Sequence, residues 1–229
     1  MKVLALLPMK GHSERIPNKN LKSFQGKPLY HKVIDSLLHS KYIDKVVINT
    51  DSENIKIDAV KNFGDKILLI DRPNSIQGDF VSMNNIIEHV LSKLPNNNYF
   101  IQTHSTNPLL KTETIDRAIE KYFEAIIKNQ FDSLFSVTRF QTRFYWKSGE
   151  PINHNPNELI RTQDLPIMYE ENSNFFIFSR DSFFSNGLKR IGCKPYLFEM
   201  NKIESIDIDE PEDFTIAEIF YKTLYGNDY

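Results

Sequence analysis

Three things that this 229-residue chain lacks narrow the classes of protein to which it can belong. Cys193 is its single cysteine, which excludes an internal disulfide and a cysteine-based zinc site. Apolar runs such as Val3–Leu7 are far shorter than the roughly 20 residues that span a bilayer, and too short for a signal-peptide core. A large excess of one charge sign is also lacking, because 28 Lys and Arg residues are balanced by 30 Asp and Glu residues. A net charge of -2 argues against a dedicated nucleic-acid binder, so we expect a soluble, cytoplasmic protein with neither nucleic acid nor membrane as a partner.

The near-neutral sum hides two ends of opposite charge. Residues 1–50 hold nine Lys and Arg against three Asp and Glu, a local charge of +6. Residues 199–229 hold two Lys and Arg against nine Asp and Glu, a local charge of -7. An enzyme that handles a polyanion together with a metal ion needs both kinds of patch, and we expect the fold to bring the two ends together.

Hydrophobic patterning predicts one α/β domain over residues 1–229. Short apolar segments alternate with amphipathic helical patterns, and this rhythm is typical of a mainly parallel sheet with helices on both faces. Pro8 is expected to end the first strand, and the spacing at Thr112 suggests a capped helix start. Strands are predicted at 3–7, 45–50, 66–70, 99–102, 132–140, 174–179 and 196–200, and helices from Pro28, at 55–63, 81–94 and 112–127, and from Pro211.

Residues 140–166 interrupt this pattern. Phe140, Phe144, Tyr145 and Trp146 precede a polar stretch rich in proline and asparagine. An insertion of this kind in an α/β domain is often a flap or a dimerisation arm, and aromatic clusters are enriched at interfaces. We therefore expect a subunit contact and a homodimer. A small local core beneath a flap is the alternative.

The loop after the first strand is the first candidate ligand site, because parallel α/β sheets bind ligands outside the carboxyl ends of their strands. The loop lacks G-x-G-x-x-G and G-x-x-x-x-G-K-[ST], so it carries neither a dinucleotide fingerprint nor a P-loop. Backbone N–H groups with several cations nevertheless suit a phosphate chain, although a solvated basic loop fits equally well. The candidate phosphate ligands are Lys10, Gly11, Ser13, Arg15 and Lys19.

Asp207 and Asp209 form a second candidate site near the other end of the chain. Two acids at positions i and i+2 lie on the same face of an extended segment, where they are costly unless a cation joins them. Mg²⁺ favours one or two carboxylates, with substrate phosphate oxygens completing its octahedron. The alternative is a solvated acidic turn before the last helix.

Taken in order, these motifs resemble the acylneuraminate cytidylyltransferase family, which includes the CMP-sialic acid synthetases. The resemblance implies a Rossmann-like sheet of the nucleotide-diphospho-sugar transferase type, and usually a dimer. It also implies transfer of CMP from CTP to a sialic-acid-like nonulosonic acid or related keto-deoxy sugar, with Mg²⁺ or Mn²⁺ and release of pyrophosphate, for lipopolysaccharide or capsule synthesis. The matching segments are 10–20, 26–29, 49–52, 72–79, 161–166, 171–176 and 205–213.

The resemblance further implies roles for individual residues. Lys10, Lys19 and Asp209 would be catalytic, and Asp207 and Asp209 would hold the metal. For Arg15, a pair with the adjacent Glu14 is the alternative to a phosphate contact. The implied nucleotide-binding residues are Lys10, Gly11, Ser13, Arg15, Lys19, Asn20, Arg72, Asp79 and His104. The implied acceptor-binding residues are Arg161, which would take the acceptor carboxylate, with Gln163, Asn172 and Phe176.

Some positions depart from the family pattern. His104 stands where the family has Gln, Leu110 where it often has Arg, and Phe176 where it has Tyr. His104 is alternatively a structural loop residue, and Phe176 a core aromatic. Because these departures lie mainly in the segments that would bind the acceptor, the sequence does not identify the acceptor sugar. Transfer of CMP to a different acceptor, or nucleotide binding without transfer, remain alternatives.

Overall fold

A seven-stranded sheet forms the centre of the computed structural model, which describes residues 2–226. The strand order is β5-β4-β1-β6-β8-β7-β9, and β8 runs opposite to the other strands. The mainly parallel sheet is therefore confirmed. The strands are β1 (Val3–Met9), β4 (Ile43–Thr50), β5 (Ile67–Asp71), β6 (Tyr99–Thr103), β7 (Ser133–Phe140), β8 (Met168–Ser179) and β9 (Pro195–Glu199), with β2 (Ser23–Phe24) and β3 (Lys27–Pro28) pairing separately.

Helices cover both faces of this sheet. The helices are α1 (Leu29–Leu38), α2 (Glu53–Phe63), α3 (Met83–Ser92), α4 (Thr112–Ile127), α5 (Arg180–Ser185) and α6 (Pro211–Tyr225). Alternate residues of β1 point to opposite faces: Ala5 and Leu7 pack with α1, α2 and α4, whereas Leu4 and Leu6 pack with α3 and α5. A strand buried on both faces is apolar at every position, which explains the unbroken run at the start of the chain.

The two charged ends meet across a third, smaller core. Ile16 and Phe24 of the N-terminal segment pack against Ile208, Phe214 and Ala217 from the start of α6 and the residues before it, and all five side chains are buried. Burial of apolar side chains is the dominant attraction in folding. The apolar contact therefore fixes the basic loop against the acidic segment.

Several predicted boundaries were wrong, each for a local reason. Pro8 does not end β1 but pairs with Asn49. The register with β6 on the other side stops at Leu6, so the missing N–H faces no partner there. Thr112 begins α4 without capping it, since its hydroxyl donates to the Ser36 carbonyl at 2.8 Å.

Two further boundaries moved. Helix α3 starts at Met83 because the Ser82 hydroxyl accepts from the Asn85 N–H at 3.2 Å. Strand β8 begins at Met168, six residues before the predicted start, and pairs with β7.

The insertion at 140–166 contains little regular structure. Around Tyr145 the strand pairing is limited to one bridge with Pro151. Phe140 and Phe144 pack edge to face with ring centroids 5.8 Å apart, as a small local core would. Tyr145 and Trp146 are instead 54% and 62% exposed, which leaves apolar surface available for another contact. No helix within residues 2–226 is long and apolar enough to cross a membrane.

Candidate active site

A cavity of about 440 Å³ opens beside the carboxyl ends of β1 and β6. It lies between the basic loop and the acidic segment, so the +6 and -7 ends of the chain share one site. Most of the residues that the resemblance implied for the nucleotide and the metal line this cavity. They are Lys10, Ser13, Arg15, Lys19, Asn20, Arg72, Asp79, His104, Asp207 and Asp209.

Ion pairs join the basic and acidic sides. Arg15 donates from Nη2 to Asp209 Oδ1 at 3.0 Å and from Nη1 to Glu210 Oε1 at 2.8 Å. The hydrogen bond to Glu210 and the charge of Asp209 raise the pKa of the guanidinium. Lys19 Nζ donates to the Ile208 carbonyl at 2.5 Å and lies 3.4 Å from Asp209 Oδ1. Arg15 therefore pairs across the fold and not with adjacent Glu14, which was the alternative to a phosphate contact.

Buried neighbouring residues and a backbone hydrogen bond hold these charges in place. Ile16 and Ile208, next to Arg15 and Asp209 in sequence, are buried in the same apolar cluster. The Ile208 N–H also donates to the Thr106 carbonyl at 2.8 Å, which ties the acidic segment to the loop after β6. The charges are thus positioned by buried neighbours before any ligand binds, which is the arrangement that electrostatic preorganisation requires.

Gly11 lies where the basic loop crosses the start of α2. Its N–H donates to Asp51 Oδ1 at 2.7 Å, so this particular N–H is already occupied. A Cβ at position 11 would lie 2.8 Å from the Ser52 Cβ, closer than packed atoms approach. Glycine is required here for close approach to the end of β4. Gly11 thus supports the loop and is not placed among the residues that line the cavity.

Asn20 links two loops of the cavity. Its Nδ2 donates to the Lys10 carbonyl at 3.1 Å, and its Oδ1 accepts from the Ser105 hydroxyl at 2.7 Å. The side chain is largely buried, so these bonds are shielded from water. Asn20 therefore fixes the separation between the basic loop and the loop after β6.

Arg72 and Asp79 form the wall beyond β5. The buried Arg72 donates to Asn49 Oδ1 at 2.9 Å and to its carbonyl at 3.0 Å. Burial lowers the pKa of this guanidinium, although nearby Asp51 opposes the shift. Asp79 pairs with Lys10, and that hydrogen bond lowers the pKa of the Asp79 carboxyl. An ion pair thus spans the mouth of the cavity.

His104 lies against Asp207. The distance from His104 Nδ1 to Asp207 Oδ2 is 3.7 Å. Burial alone would raise the pKa of Asp207, but its polar and charged neighbours His104, Thr106 and Lys19 outweigh this effect and the pKa is lowered. Asp207 is therefore held as a carboxylate within the cavity.

The same carboxylate has a free acceptor. Asp207 Oδ1 and His104 Nε2 are buried, and neither has a hydrogen-bond partner among residues 2–226. Within those residues no group of three or more His, Cys, Asp or Glu gathers for a metal. Two carboxylates with an unused buried oxygen fit a magnesium ion that takes its remaining ligands from phosphate and water.

The implied acceptor-binding residues are not brought to this cavity. Arg161 is exposed and forms a bidentate pair with Asp164 at 2.7 and 3.1 Å, and Gln163 is exposed beside it. Asn172 bonds within the chain to Ser136 and its neighbours. Phe176 is fully buried in the core, so its ring has no surface that a sugar can contact. For Phe176 the core interpretation is the one that the structure supports.

Sequence reasoning did not select two acids that shape the site. Asp51 accepts from the Gly11 N–H, and Glu210 pairs with Arg15. Asp51 directly follows β4, where a polar residue after a buried strand is a signal for a site. Glu210 also caps α6 together with Asp213, and that capping pattern was the visible signal.

Comparison with known proteins decides the family. A cytidylyltransferase family model matches residues 4–225. The chain belongs to the cytidylyltransferase family. It is 29% identical to a pseudaminic acid cytidylyltransferase of Campylobacter jejuni over 97% of both chains. It is also 31% identical to N-acylneuraminate cytidylyltransferase A of Danio rerio, over 94% of this chain and 50% of that one.

Other relatives support the same cytidylyltransferase assignment. A CMP-N,N'-diacetyllegionaminic acid synthase of Legionella pneumophila is 28% identical over 95% of both chains. Among solved structures, a CMP:2-keto-3-deoxy-manno-octonic acid synthetase complexed with CTP superposes with a TM-score of 0.69, covering 98% of this chain and all of the other. At 14% identity this likeness shows the shared fold. The predicted family, fold class and enzyme class are confirmed.

Proposed function

We propose that this cytidylyltransferase transfers CMP from CTP to the anomeric hydroxyl of a nonulosonic or related keto-deoxy sugar acid. The observation that carries the proposal is the shared cavity, in which three cations, Lys10, Arg15 and Lys19, face the carboxylates of Asp207 and Asp209. A nucleoside triphosphate with a divalent metal needs this combination of charges. Relatives whose names specify pseudaminic, N-acylneuraminic and diacetyllegionaminic acids favour a nine-carbon acceptor.

In the proposed reaction the acceptor hydroxyl loses its proton to solvent and its oxygen attacks the α-phosphorus. The bond from that phosphorus to the oxygen bridging the α- and β-phosphorus atoms breaks, and pyrophosphate leaves with this oxygen. Lys10, Arg15 and Lys19 bind the β- and γ-phosphates and stabilise the leaving charge. Arg15 and Lys19 exchange their present partner Asp209 for phosphate oxygens. Asn20 and His104 are proposed to bind the cytosine, with Arg72 and Asp79 bounding the nucleotide, and all four residues line the cavity.

Asp207 and Asp209 are proposed to hold Mg²⁺. When bound, the ion neutralises the α-phosphate and lowers the pKa of an oxygen that it contacts. Asp207 is suited to this role because it stays ionised and its Oδ1 has no hydrogen-bond partner within residues 2–226. Asp209 is suited because its present partners, Arg15 and Lys19, are those that a triphosphate would take over.

A direct assay tests the transfer. The protein is incubated with CTP, Mg²⁺ and, separately, pseudaminic acid, N-acetylneuraminic acid, N,N'-diacetyllegionaminic acid and 2-keto-3-deoxy-manno-octonic acid. Pyrophosphate release and the CMP-sugar are both measured, and one or more acids should yield both products. CTP binding by calorimetry without turnover on any acid would identify a nucleotide-binding protein without transfer and defeat the proposal.

Asp209→Asn tests the metal assignment. Loss of one carboxylate charge should lower kcat/KM by at least about 100-fold while the protein stays folded, since metal coordination supplies several kcal/mol of transition-state stabilisation. Glu212→Gln is the matched control, because Glu212 is exposed on the first turn of α6 and does not line the cavity. Equal activity in both variants would remove Asp209 from the metal site.

We also propose a homodimer formed through residues 140–166. Tyr145, Trp146 and Leu159 are exposed by 54%, 62% and 99%, and large exposed apolar surfaces of this kind mark interaction sites. Sedimentation velocity at micromolar concentration should give a dimer, and Trp146→Ser should shift it toward monomer. A monomeric wild-type protein would refute this part of the proposal.

A further inference from the structure

Arg190, which the sequence analysis did not select, is a tightly held cation in the half of the molecule beyond β6. Its guanidinium carbon lies 3.6 Å from the centroid of the Phe176 ring, and its Nη1 donates to Gln102 Oε1. Its Nη2 is 4.0 Å from Glu171 Oε1, and its backbone N–H donates to Asn84 Oδ1 at 3.4 Å. Stacking and one hydrogen bond together fix the plane of the guanidinium.

The partners of Arg190 adjoin the wall of the cavity. Gln102 lies on β6 and precedes His104, in the loop after that strand, by two residues. Glu171 precedes Ser173 by two residues, and His104 and Ser173 both line the cavity. Asn84 likewise follows Met83, which lines the cavity. Arg190 therefore lies beside the segments that form the wall of the cavity, since each of these partners is one or two residues along the chain from a residue that lines it.

The guanidinium retains unused hydrogen-bonding capacity. Arginine carries five N–H donors in a planar fork, and among residues 2–226 only Gln102 accepts a hydrogen bond from this side chain. Glu171 approaches only to 4.0 Å and its side chain is 44% exposed. Gln102 Nε2 is buried and has no acceptor within the described residues. An oxyanion that reached this corner would meet several donors at once.

Burial adds to the demand for an anion. The Arg190 side chain is 17% exposed, and burial lowers its pKa to about 10, although Glu171 opposes the shift. The group remains protonated at neutral pH but has lost much of its hydration. A half-buried cation with unpaired donors favours a carboxylate, which can take two parallel hydrogen bonds from the fork.

We infer that Arg190, oriented by Gln102 and the Phe176 ring, binds the carboxylate of the acceptor sugar acid. This assignment rests on the proposed function and changes one part of it. The sequence had assigned the carboxylate to Arg161, whose guanidinium is already in a bidentate pair with Asp164. Phe176 keeps a part on the acceptor side, as the surface on which Arg190 lies and not as a contact of the sugar.

The test compares a carboxylate with its uncharged derivative. The probes are the sugar acid that the panel identifies and the methyl ester of the same sugar. In wild type the acid should be preferred in kcat/KM by at least about tenfold, because a hydrogen-bonded charge is lost in the ester. Arg190→Met should reduce that preference to near unity through the acceptor KM, with the KM for CTP unchanged. Arg190→Lys should fall between, since it keeps the charge and loses the fork.

Two other arginines complete the design. Arg117→Met is the matched control, because Arg117 is exposed on α4 and does not line the cavity. This variant should keep the wild-type preference. Arg161→Met separates the two assignments of the carboxylate. Loss of the preference in Arg161→Met and its retention in Arg190→Met would overturn the inference.

Failure of the inference differs from failure of the proposed function. If pyrophosphate is released from CTP with none of the sugar acids, the proposed function and the role of Arg190 are both refuted. If an acid is turned over but wild type does not prefer it to its ester, or Arg190→Met keeps the preference, only the role of Arg190 is lost. Should Arg190→Met fail to fold, Arg190→Lys and Gln102→Leu still decide, because each should raise the acceptor KM and leave the KM for CTP unchanged.

Discussion

The two sides of this cytidylyltransferase hold their charged side chains in different ways. In the cavity proposed for the nucleotide, hereafter the nucleotide side, Arg15 pairs with Asp209, 194 residues away, and both neighbouring isoleucines are buried. In the insertion, Arg161 pairs with Asp164, three residues away, on an exposed turn. A long-range pair is placed by the whole fold, whereas a local pair is placed only relative to its own turn. The nucleotide side is therefore prearranged in a single chain, and the insertion is not.

Replacement of Lys19 tests this prearrangement and should have the largest effect. Lys19 is only 13% exposed in its side chain and contacts the acidic segment through Ile208 and Asp209. Lys19→Met should lower kcat/KM for CTP by at least about 100-fold, the cost of removing one preorganised donor from a developing charge. Steady-state kinetics with varied CTP measures this loss.

Lys22→Met is the control for Lys19→Met. Lys22 is exposed, lies 4.5 Å from the Phe214 ring centroid and does not line the cavity. This variant should retain near-wild-type kinetics. If the two variants behaved alike, the Lys19 ammonium would play no part in binding the triphosphate.

Gly11→Ala tests the close approach beneath the basic loop. The added Cβ would lie 2.8 Å from the Ser52 Cβ, so the loop or the start of α2 must shift. Overpacking of this kind costs about 1–3 kcal/mol in the free energy of unfolding, and the shifted loop should also raise the KM for CTP. Urea unfolding and steady-state kinetics give the two quantities.

A second substitution identifies the cause. Ser52→Gly removes the clashing Cβ, at a cost of only a few tenths of a kcal/mol for the lost helix cap. The double variant Gly11→Ala, Ser52→Gly should therefore recover stability and the KM for CTP. A double variant no better than Gly11→Ala would show that the contact with Ser52 is not what requires glycine.

Asn172→Ala tests whether Asn172, which the resemblance implied as an acceptor ligand, instead stabilises the fold. The Asn172 Oδ1 accepts from the Ser136 hydroxyl at 2.6 Å and from the Asn174 N–H at 3.2 Å, and its Nδ2 donates to Thr138 Oγ1 at 3.1 Å. Loss of these half-buried bonds should lower the free energy of unfolding by about 1–3 kcal/mol in urea titration. An unchanged unfolding midpoint with a raised acceptor KM would instead make Asn172 a direct ligand.

The contrast between the two sides also explains what the sequence allowed us to predict. The succession of strands and helices along the chain, the basic loop and the acidic pair follow from short-range signals: apolar runs, a loop after β1 and two acids at i and i+2. The parallel sheet then forces the carboxyl ends of its strands to one edge, which is why Lys10 and His104 meet, whereas Asp209 is brought to them by the buried cluster of Ile16 and Ile208. The roles of these residues were implied by the family resemblance, because the residue patterns alone left alternatives open.

The same reasoning failed where position depends on tertiary contact alone. Nothing in the sequence around Arg190 marks it, because its environment is formed by Gln102, Glu171 and Phe176 from two other strands. Phe176 illustrates the reverse error, since a residue in a matching motif is buried by strand pairing with Gln102. A one-dimensional motif does not specify which face of a strand its residue occupies after an irregularity within the strand, such as the one in β8 where Ser173 has a positive φ of 57°.

Gln163→Ala should have the smallest effect of these substitutions. It tests the contrast between the prearranged nucleotide side and the insertion most directly. The Gln163 side chain is exposed, and only its backbone carbonyl is used, accepting from Gln141 Nε2 at 2.6 Å. The substitution should change the free energy of unfolding by less than about 0.5 kcal/mol and leave the acceptor KM unchanged. Gln141→Ala is the comparison, because it removes the bonds to Gln163 and Leu165 that hold the insertion to the end of β7, and it should cost about 1 kcal/mol. If Gln163→Ala raised the acceptor KM instead, residues of the insertion must reach a cavity that they do not reach within one chain. A second copy would then supply them, and the acceptor side would be completed only in the dimer.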